Sequence, residues 1–255
     1  MKNNALTIAG FMSGTSMDGL DCCIAKVDIG KNWDFNYEII ATKSFDFSFN
    51  VRDKICKNLG ETQISNIVPL DDFMGKTFLN LSKDFLLSHK FDAISIHGQT
   101  IHHRDKVKTI QVGNPCYLAS FFKVPVIYNF RQKDIDAGGN GAPLMPFLDW
   151  LLFKKCDTNT VAINLGGISN ISFIQKKSIK SNVLGFDTGP GMSLIDEYVF
   201  KIWKDKCDFN GKYSADGKIE QNLLNHLVDN SIFISAPPPK STTREDFGAS
   251  FIDEF

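Results

Sequence analysis

The sequence predicts an α/β fold made of two related halves, and three features support this prediction. The apolar stretch Leu6–Met12 is joined to Leu20–Ile29 by a glycine-rich run, which is the pattern of two strands and a turn. The same layout returns at Val161–Ile174 around a pair of glycines, as an internal repeat would. Residues Ile64–His89 carry apolar side chains at the spacing of one helix face.

Composition favours a globular protein without a nucleic-acid or membrane partner. The chain has 255 residues, of which 43% are hydrophobic and 22% charged, enough for a core of one or two domains. The formal net charge is −1, so there is no basic excess. No apolar run approaches the roughly 18 residues of a membrane span. We interpret Ala5–Met12 as a first core strand, since no signal-peptide cleavage site follows it.

The cysteines predict free thiols in a cytosolic protein. None stands in a C-x-x-C pair, and their number is low for a disulfide scaffold. The six cysteines are Cys22, Cys23, Cys56, Cys116, Cys156 and Cys207.

The other apolar segments complete the predicted elements. Further strands are expected at Tyr37–Phe47, Ala93–Ile96, Thr109–Val112, Val124–Tyr128, Val161–Leu165 and Ile168–Ile174, and helices at Leu144–Phe153, Met192–Trp203 and Lys218–Val228. Pro190 suits the start of the helix at Met192. We place the domain boundary after residue 135, which gives halves 1–135 and 136–255.

Polar or glycine-containing turns follow three neighbouring predicted strands, those ending at Ile96, Val112 and Tyr128. Ligands of α/β sheets bind at the carboxyl ends of strands, so we expect a site on this rim. His97 and Gln99 are predicted substrate contacts there. The cluster His97, His102 and His103 does not have a familiar zinc-ligand spacing.

A second group of polar residues follows the last of these strands. Arg131 and Asp134 either form an ion pair across a hinge or bind a ligand carboxylate. The loop Gly138–Pro143 is either a substrate clasp or a domain hinge.

The run Ser13–Gly19 lacks the lysine of a Walker A loop and the last glycine of a nucleophile elbow. Its small residues suit close approach to a phosphate, and Asp18 suits Mg²⁺ held through water. A polar hairpin turn is the alternative. In Gly185–Gly191, Asp187 is either a general base or a cap of the following helix.

Seven motifs, in this order, resemble the anhydro-N-acetylmuramic acid kinase family. They are MSGTSMDGLD, SIHGQTIHHR, IQVGNP, NFRQKDIDAGGNGAPL, INLGGISNIS, GFDTGPG and KSTTRE, and the match runs from about Gly10 to Phe247. The resemblance implies an actin-like, sugar-kinase fold of two domains, with an ATP cleft between duplicated halves. It implies that ATP, with Mg²⁺, phosphorylates the 6-oxygen of 1,6-anhydro-N-acetylmuramic acid while water opens the anhydro bridge. The setting is recycling of cell-wall sugars in the bacterial cytoplasm.

The resemblance also implies residue roles. Asp187 matches the catalytic base, and Asp18 would lie at the metal. The nucleotide-binding residues would be Gly14, Thr15, Ser16, Met17, Asp18, Gly19, Leu20, Asp21, Gly166 and Gly167. The residues on the sugar side would be His97, Gln99, Arg131, Gly139 and Gly141, with Arg131 near the lactyl carboxylate of the substrate.

The chain departs from the family pattern in three ways. Family chains continue beyond KSTTRE, so the resemblance implies an incomplete second half and weak or no activity of this chain alone. Thr243 stands where glycine is usual, and Asp136 where alanine is usual. An inactive or regulatory nucleotide-binding remnant of the actin-like fold is the alternative function. The oligomeric state is left open, with a homodimer as one option.

Overall fold

The computed structural model describes residues 5–14, 16–155, 157–229, 231–242 and 246–253. The chain divides into two units, Met1–Leu144 and Met145–Phe255. Each unit combines a sheet with helices, so the α/β class predicted from the sequence is confirmed. In the described part of the chain, no helix is both long and apolar enough to span a bilayer.

The first unit is a mixed sheet with helices packed on it. Its strands are β1 (Leu6–Ser13), β2 (Gly19–Ile29), β3 (Phe35–Asp46), β4 (Ala93–Arg104), β5 (Lys108–Val112) and β6 (Val126–Ile127). They lie in the order β3-β2-β1-β4-β5, with β6 beside the first half of β4. The β1–β4 and β4–β6 pairs are parallel, and the others are antiparallel. The helices are α1 (Phe49–Cys56), α2 (Ile64–Leu87), α3 (Cys116–Phe122) and α4 (Phe130–Asp136).

The core of the first unit lies between the sheet and α2. Alternate residues of β1 and β2 are buried, as expected for strands with one face on a core. One face of α2 is buried at intervals of four residues, through Leu70, Met74, Phe78, Ser82 and Leu86. The apolar spacing that predicted this helix and the first hairpin is therefore confirmed.

The second unit is built on a three-stranded antiparallel meander. Its strands are β7 (Thr160–Leu165), β8 (Ile168–Ile174) and β9 (Leu184–Pro190), and its helices are α5 (Met145–Phe153), α6 (Ser193–Trp203), α7 (Gln221–Asp229), α8 (Ile232–Ser235) and α9 (Ala249–Asp253). Helix α5 packs on the sheet through buried Trp150, and Asp149 accepts a hydrogen bond from Ser172 Oγ at 2.6 Å. The β7–β8 hairpin confirms the strand–turn–strand layout predicted at Val161–Ile174.

Two predicted turns are regular structure instead, and one predicted helix start is the end of a strand. His97 to Thr100 lie inside β4. β5 pairs with this strand from Gln99 onward, whereas His97 and Gly98 lie at an irregularity of the β1–β4 pairing, where Gly98 has φ of 79°. Arg131 lies in α4, which begins directly after Asn129. Pro190 ends β9 opposite Ile168 of β8, so it does not start α6.

The division between the two units falls after Leu144, whereas the sequence prediction placed the boundary after residue 135. The glycine-rich segment between these positions is tied to α4 by hydrogen bonds. The Gly141 N–H donates to Asp134 Oδ2 at 2.7 Å, and Arg131 Nη1 donates to the Gly141 carbonyl at 3.0 Å. These bonds place the segment in the first unit.

Candidate functional site

The glycine-rich run of the first unit forms the tight loop between β1 and β2. Met17 adopts a left-handed backbone conformation with φ of 55°, and its N–H donates to the Gly14 carbonyl at 3.2 Å. The Met17 side chain packs against the core, and the Asp18 carbonyl accepts from Phe47 N–H at 2.8 Å. The loop is therefore anchored at its centre. Thr15, a predicted nucleotide contact, lies outside the described residues.

The loop presents polar groups and an open backbone. Ser16 and Asp18 are exposed, and Ser16 Oγ donates to Asp18 Oδ1 at 2.7 Å. Among the described residues, a Cβ added to Gly14 would come within 4 Å only of Ser16 Oγ, at 3.8 Å, which leaves these residues clear of a ligand that approaches the backbone there. A Cβ on Gly19 would instead lie 2.5 Å from the Phe45 carbonyl oxygen, so Gly19 is required for packing on β3.

The end of the predicted nucleotide segment belongs to strand β2. Leu20 is buried in the core, whereas Asp21 is exposed and accepts from Ser44 Oγ at 2.5 Å. These two residues therefore support the loop from the strand that follows it.

Gln99 lies buried beneath the loop. Its Oε1 accepts a hydrogen bond from Ser13 Oγ at 2.6 Å, and its Nε2 donates to the carbonyls of Gly14 and Thr100, both at 3.2 Å. The side chain is 0% exposed. The structure thus brings a predicted sugar contact to the base of the predicted phosphate loop.

His97 and Arg131 form a hydrogen-bonded pair. Arg131 Nε donates to His97 Nε2 at 2.8 Å, so the imidazole carries its proton on Nδ1, which lies 2.7 Å from the Gly98 carbonyl. Burial lowers the pKa of His97, and the nearby Arg131 charge lowers it further. Burial also lowers the pKa of Arg131. The geometry and the charge both favour a neutral imidazole.

The glycine-rich loop after α4 is held from two sides. Arg131 Nη1 donates to the Gly141 carbonyl, and Asp134 Oδ2 accepts from the Gly141 N–H. In these hydrogen bonds both side chains bind Gly141 and not each other. A Cβ on Gly139 would lie 2.1 Å from Asp134 Oδ2, so a side chain there would displace the carboxylate that accepts from the Gly141 N–H. Asp136 accepts from Gln132 Nε2 at 2.9 Å, which accommodates the departure from the family's alanine.

His97 borders two cavities within the first unit. One, of about 510 Å³, has polar lining groups that include Asp71, Gln111 and Gln132. The other, of about 470 Å³, lies against the face of β1 and β2 that carries Asp21. Gln99 lines neither of these two cavities. A ligand beside His97 therefore has space, whereas Gln99 lies apart from that space.

Asp187 lies in β9, and residues 240–242 hold it. Its N–H donates to the Lys240 carbonyl at 2.9 Å, and Thr242 N–H donates to Asp187 Oδ2 at 2.9 Å. Helix α6 begins after Met192, so the alternative that Asp187 caps this helix is wrong. Sequence reasoning assigned no role to Lys240 and Thr242. The signal that could have indicated a role for both residues was their position in the KSTTRE motif.

The glycine turn between β7 and β8 is joined to the start of α6. The Gly166 carbonyl accepts from Met192 N–H at 2.8 Å, and the Gly167 carbonyl accepts from Gly191 N–H at 2.9 Å and from Ser193 N–H at 3.1 Å. A Cβ on Gly191 would lie 2.2 Å from the Gly166 carbonyl oxygen. The last glycine of GFDTGPG is therefore required for this close packing.

Among the described residues, no group of three or more His, Cys, Asp or Glu side chains is placed to hold a metal ion. Asp18 stands as a single exposed carboxylate in its loop. Magnesium bound to nucleotide phosphates takes one or two protein carboxylates, so this arrangement is compatible with such an ion. The five cysteines in the described ranges are unpaired, and Cys156 lies outside those ranges.

The chain matches known proteins over almost its whole length. The family model for anhydro-N-acetylmuramic acid kinase matches residues 6–255. A protein of that name from Bacillus thuringiensis (strain Al Hakam) is 34% identical over 264 residues, covering 98% of this chain and 68% of the relative. One from Bacillus cereus (strain G9842) is 35% identical over 260 residues, covering 97% and 68%. Because the family's motifs occur here in order and the family model matches residues 6–255, this chain belongs to the anhydro-N-acetylmuramic acid kinase family.

Proposed function

We propose that this chain is a carbohydrate kinase that phosphorylates the 6-oxygen of 1,6-anhydro-N-acetylmuramic acid while water opens the anhydro bridge. The product is N-acetylmuramic acid 6-phosphate, formed during recycling of cell-wall sugars in the bacterial cytoplasm. The observation that carries this proposal is the family match over residues 6–255. The geometry of Asp187, the β1–β2 loop and the His97–Arg131 pair supports it.

Asp187 is proposed as the general base. Its carboxylate accepts the proton of the water that attacks the anomeric carbon, and the 6-oxygen is thereby released to attack phosphorus. The hydrogen bond from Thr242 N–H to Oδ2 holds the carboxylate in one orientation. A positioned base contributes about 10²–10⁴-fold to a rate.

The phosphate-binding residues are proposed to be the loop Gly14–Asp21 and the turn Gly166-Gly167. The open backbone at Gly14 supports this assignment, and the nearest group to a Cβ on Gly167 is Ser193 Cβ at 3.9 Å. ATP supplies the γ-phosphoryl group, and Mg²⁺ beside Asp18 supplies neutralising charge. The repeated hairpin layout supports the further proposal that the glycine turn of each actin-like half binds nucleotide.

The sugar is proposed to bind near His97, Arg131, Gly139 and Gly141. Among the described residues, Arg131 has no carboxylate partner, although its guanidinium is largely buried. A buried guanidinium without an acid beside it suits a ligand carboxylate, because an uncompensated charge is costly to bury. The lactyl group of the substrate provides that carboxylate.

The experiment incubates the full chain with ATP, Mg²⁺ and 1,6-anhydro-N-acetylmuramic acid, and measures ADP release together with the mass of the sugar product. Asp187→Asn should reduce product formation by about 10²-fold or more while the Kd for ATP stays within about twofold. Asp253→Asn is the control, because Asp253 is an exposed carboxylate paired only at the surface with Lys201.

One outcome would replace the proposal. If the unmodified chain binds ATP yet forms no phosphorylated sugar, the chain is a regulatory nucleotide-binding member of this fold.

A further inference from the structure

We infer that Gln99 and Ser13 are positioning residues that set the shape of the β1–β2 loop for ATP, and that neither contacts the sugar. The inference rests on the proposed function of that loop. It assigns to Gln99 a role different from the sugar contact expected from the motif.

The backbone pairing between β1 and β4 becomes irregular at this place. The register shifts between Phe11 and Ser13, and Ser13 lies opposite Gln99. Where the ladder is interrupted, side chains provide the hydrogen bonds instead. Ser13 Oγ lies 2.6 Å from Gln99 Oε1 and 3.1 Å from the Gly19 carbonyl oxygen.

The orientation of the Gln99 amide is determined by its partners. Nε2 faces two carbonyl oxygens, those of Gly14 and Thr100, and must therefore be the donor end. Oε1 then accepts from the Ser13 hydroxyl. Gln99 thus binds the first residue of the loop directly, and it holds the Ser13 hydroxyl, whose single proton also faces the Gly19 carbonyl as the longer arm of a shared hydrogen bond.

Both side chains are enclosed by the protein. Gln99 is 0% exposed and Ser13 is 1% exposed, so a bound sugar has no access to either. Removing one partner leaves a buried polar group unpaired, which is costly enough to make the loop adopt another shape. The effect should therefore appear in ATP binding.

The test uses Ser13→Ala and Gln99→Met in the full chain, with Ser82→Ala as the matched control. Ser82 is also 0% exposed and donates one hydrogen bond, to the Phe78 carbonyl at 2.7 Å, but it lies in α2. For each variant the KM for ATP, the KM for the sugar, kcat, the calorimetric Kd of each ligand and the Tm are measured.

We expect Ser13→Ala and Gln99→Met to raise the KM and Kd for ATP by about tenfold, with the sugar KM within about twofold. Ser82→Ala should leave the ATP constants unchanged and the Tm close to that of the unmodified chain, because the Phe78 carbonyl keeps its hydrogen bond within α2. If the pair had a purely structural role, its variants would lower the Tm without raising the KM and Kd for ATP more than the KM for the sugar.

Other results would overturn the inference. Unchanged KM and Kd for ATP in Ser13→Ala would show that the Ser13–Gln99 pair only supports the fold. If Gln99→Met does not fold, the result for Ser13→Ala decides the question alone. An equal rise in both substrate constants would show general distortion. If the unmodified chain binds the sugar but not ATP, the proposed phosphate loop itself is wrong, and the inference falls with it.

Discussion

The glycines of the motifs serve two different purposes at the scale of single residues. Beside Gly14 there is room for a ligand, whereas a Cβ on Gly19 or Gly191 would lie within 2.5 Å of a backbone oxygen. Glycine at the first kind of position leaves space for a ligand, and glycine at the second kind allows two backbone segments to pack closely. Substitution by alanine should separate the two.

We expect Gly14→Ala to change the free energy of unfolding by less than about 0.5 kcal/mol, since the added methyl meets only an ordinary contact. It should nevertheless weaken ATP binding. Gly19→Ala should destabilise the protein by about 1–3 kcal/mol, because the methyl forces β3 away. Urea denaturation and ATP calorimetry measure both effects. Equal destabilisation by the two variants would contradict this division.

The buried pair His97–Arg131 predicts a pH dependence of stability. The pKa of His97 is lowered from 6.5 in the folded protein, mainly by burial, so the unfolded chain binds a proton at higher pH than the native one. The contribution is therefore fully present above pH 6.5 and is lost as pH falls through the native pKa. A protonated imidazole also loses the lone pair that accepts from Arg131 Nε.

The measurement is the free energy of unfolding between pH 5 and 7.5, roughly the range in which histidine titrates. His97→Asn should flatten the curve, whereas His226→Asn, at an exposed position of α7, should leave it unchanged. The same curve in both variants would show that another group is responsible.

At the scale of elements, α2 determines how β5 ends. Phe78 of α2 is 0% exposed and stacks on Phe47, and a Cβ on Gly113 would lie 2.3 Å from its ring. Gly113 has φ of +136°, and its N–H donates to Asp71 Oδ1 at 2.7 Å. The motif IQVGNP is thus explained by packing of the strand end on the helix.

Phe78→Ala should destabilise the protein by about 3–5 kcal/mol, the usual cost of removing a buried aromatic ring. Phe49→Ala, in α1, removes a ring that is 85% exposed and should cost less than about 0.5 kcal/mol. Urea-induced unfolding followed by circular dichroism compares the two. A small effect of Phe78→Ala would mean that the core collapses around the lost ring.

At the scale of the whole molecule, each unit carries a strand–glycine turn–strand hairpin, and the turn of each hairpin is proposed to bind nucleotide. Binding to the native state alone stabilises a protein by mass action. ATP with Mg²⁺ at about 100 times its Kd should therefore add about 2.7 kcal/mol to the free energy of unfolding. Thermal denaturation with Mg²⁺ alone is the control. No rise in Tm beyond that control would contradict nucleotide binding.

Local patterns account for what the sequence predicted correctly. The β1–β2 hairpin and α2 follow from apolar spacing along short stretches, which depends only on neighbouring residues. His97 to Thr100 were expected to form a turn because they are polar and contain glycine. Gln99 and Thr100 continue the strand because β5, which follows in the chain, pairs with them, whereas Gly98 keeps a left-handed φ of 79° at an irregularity in the strand.

The sequence by itself determined the α/β class through apolar spacing, and it determined the family and the residues to examine through the order of its motifs. Only the tertiary structure decided what several of them do. Gln99 reaches Gly14 across 85 positions, Arg131 reaches His97 across 34, and Thr242 reaches Asp187 across 55. Such contacts depend on how distant segments pack, and packing decides which polar groups are buried, which are neutral and which face a ligand.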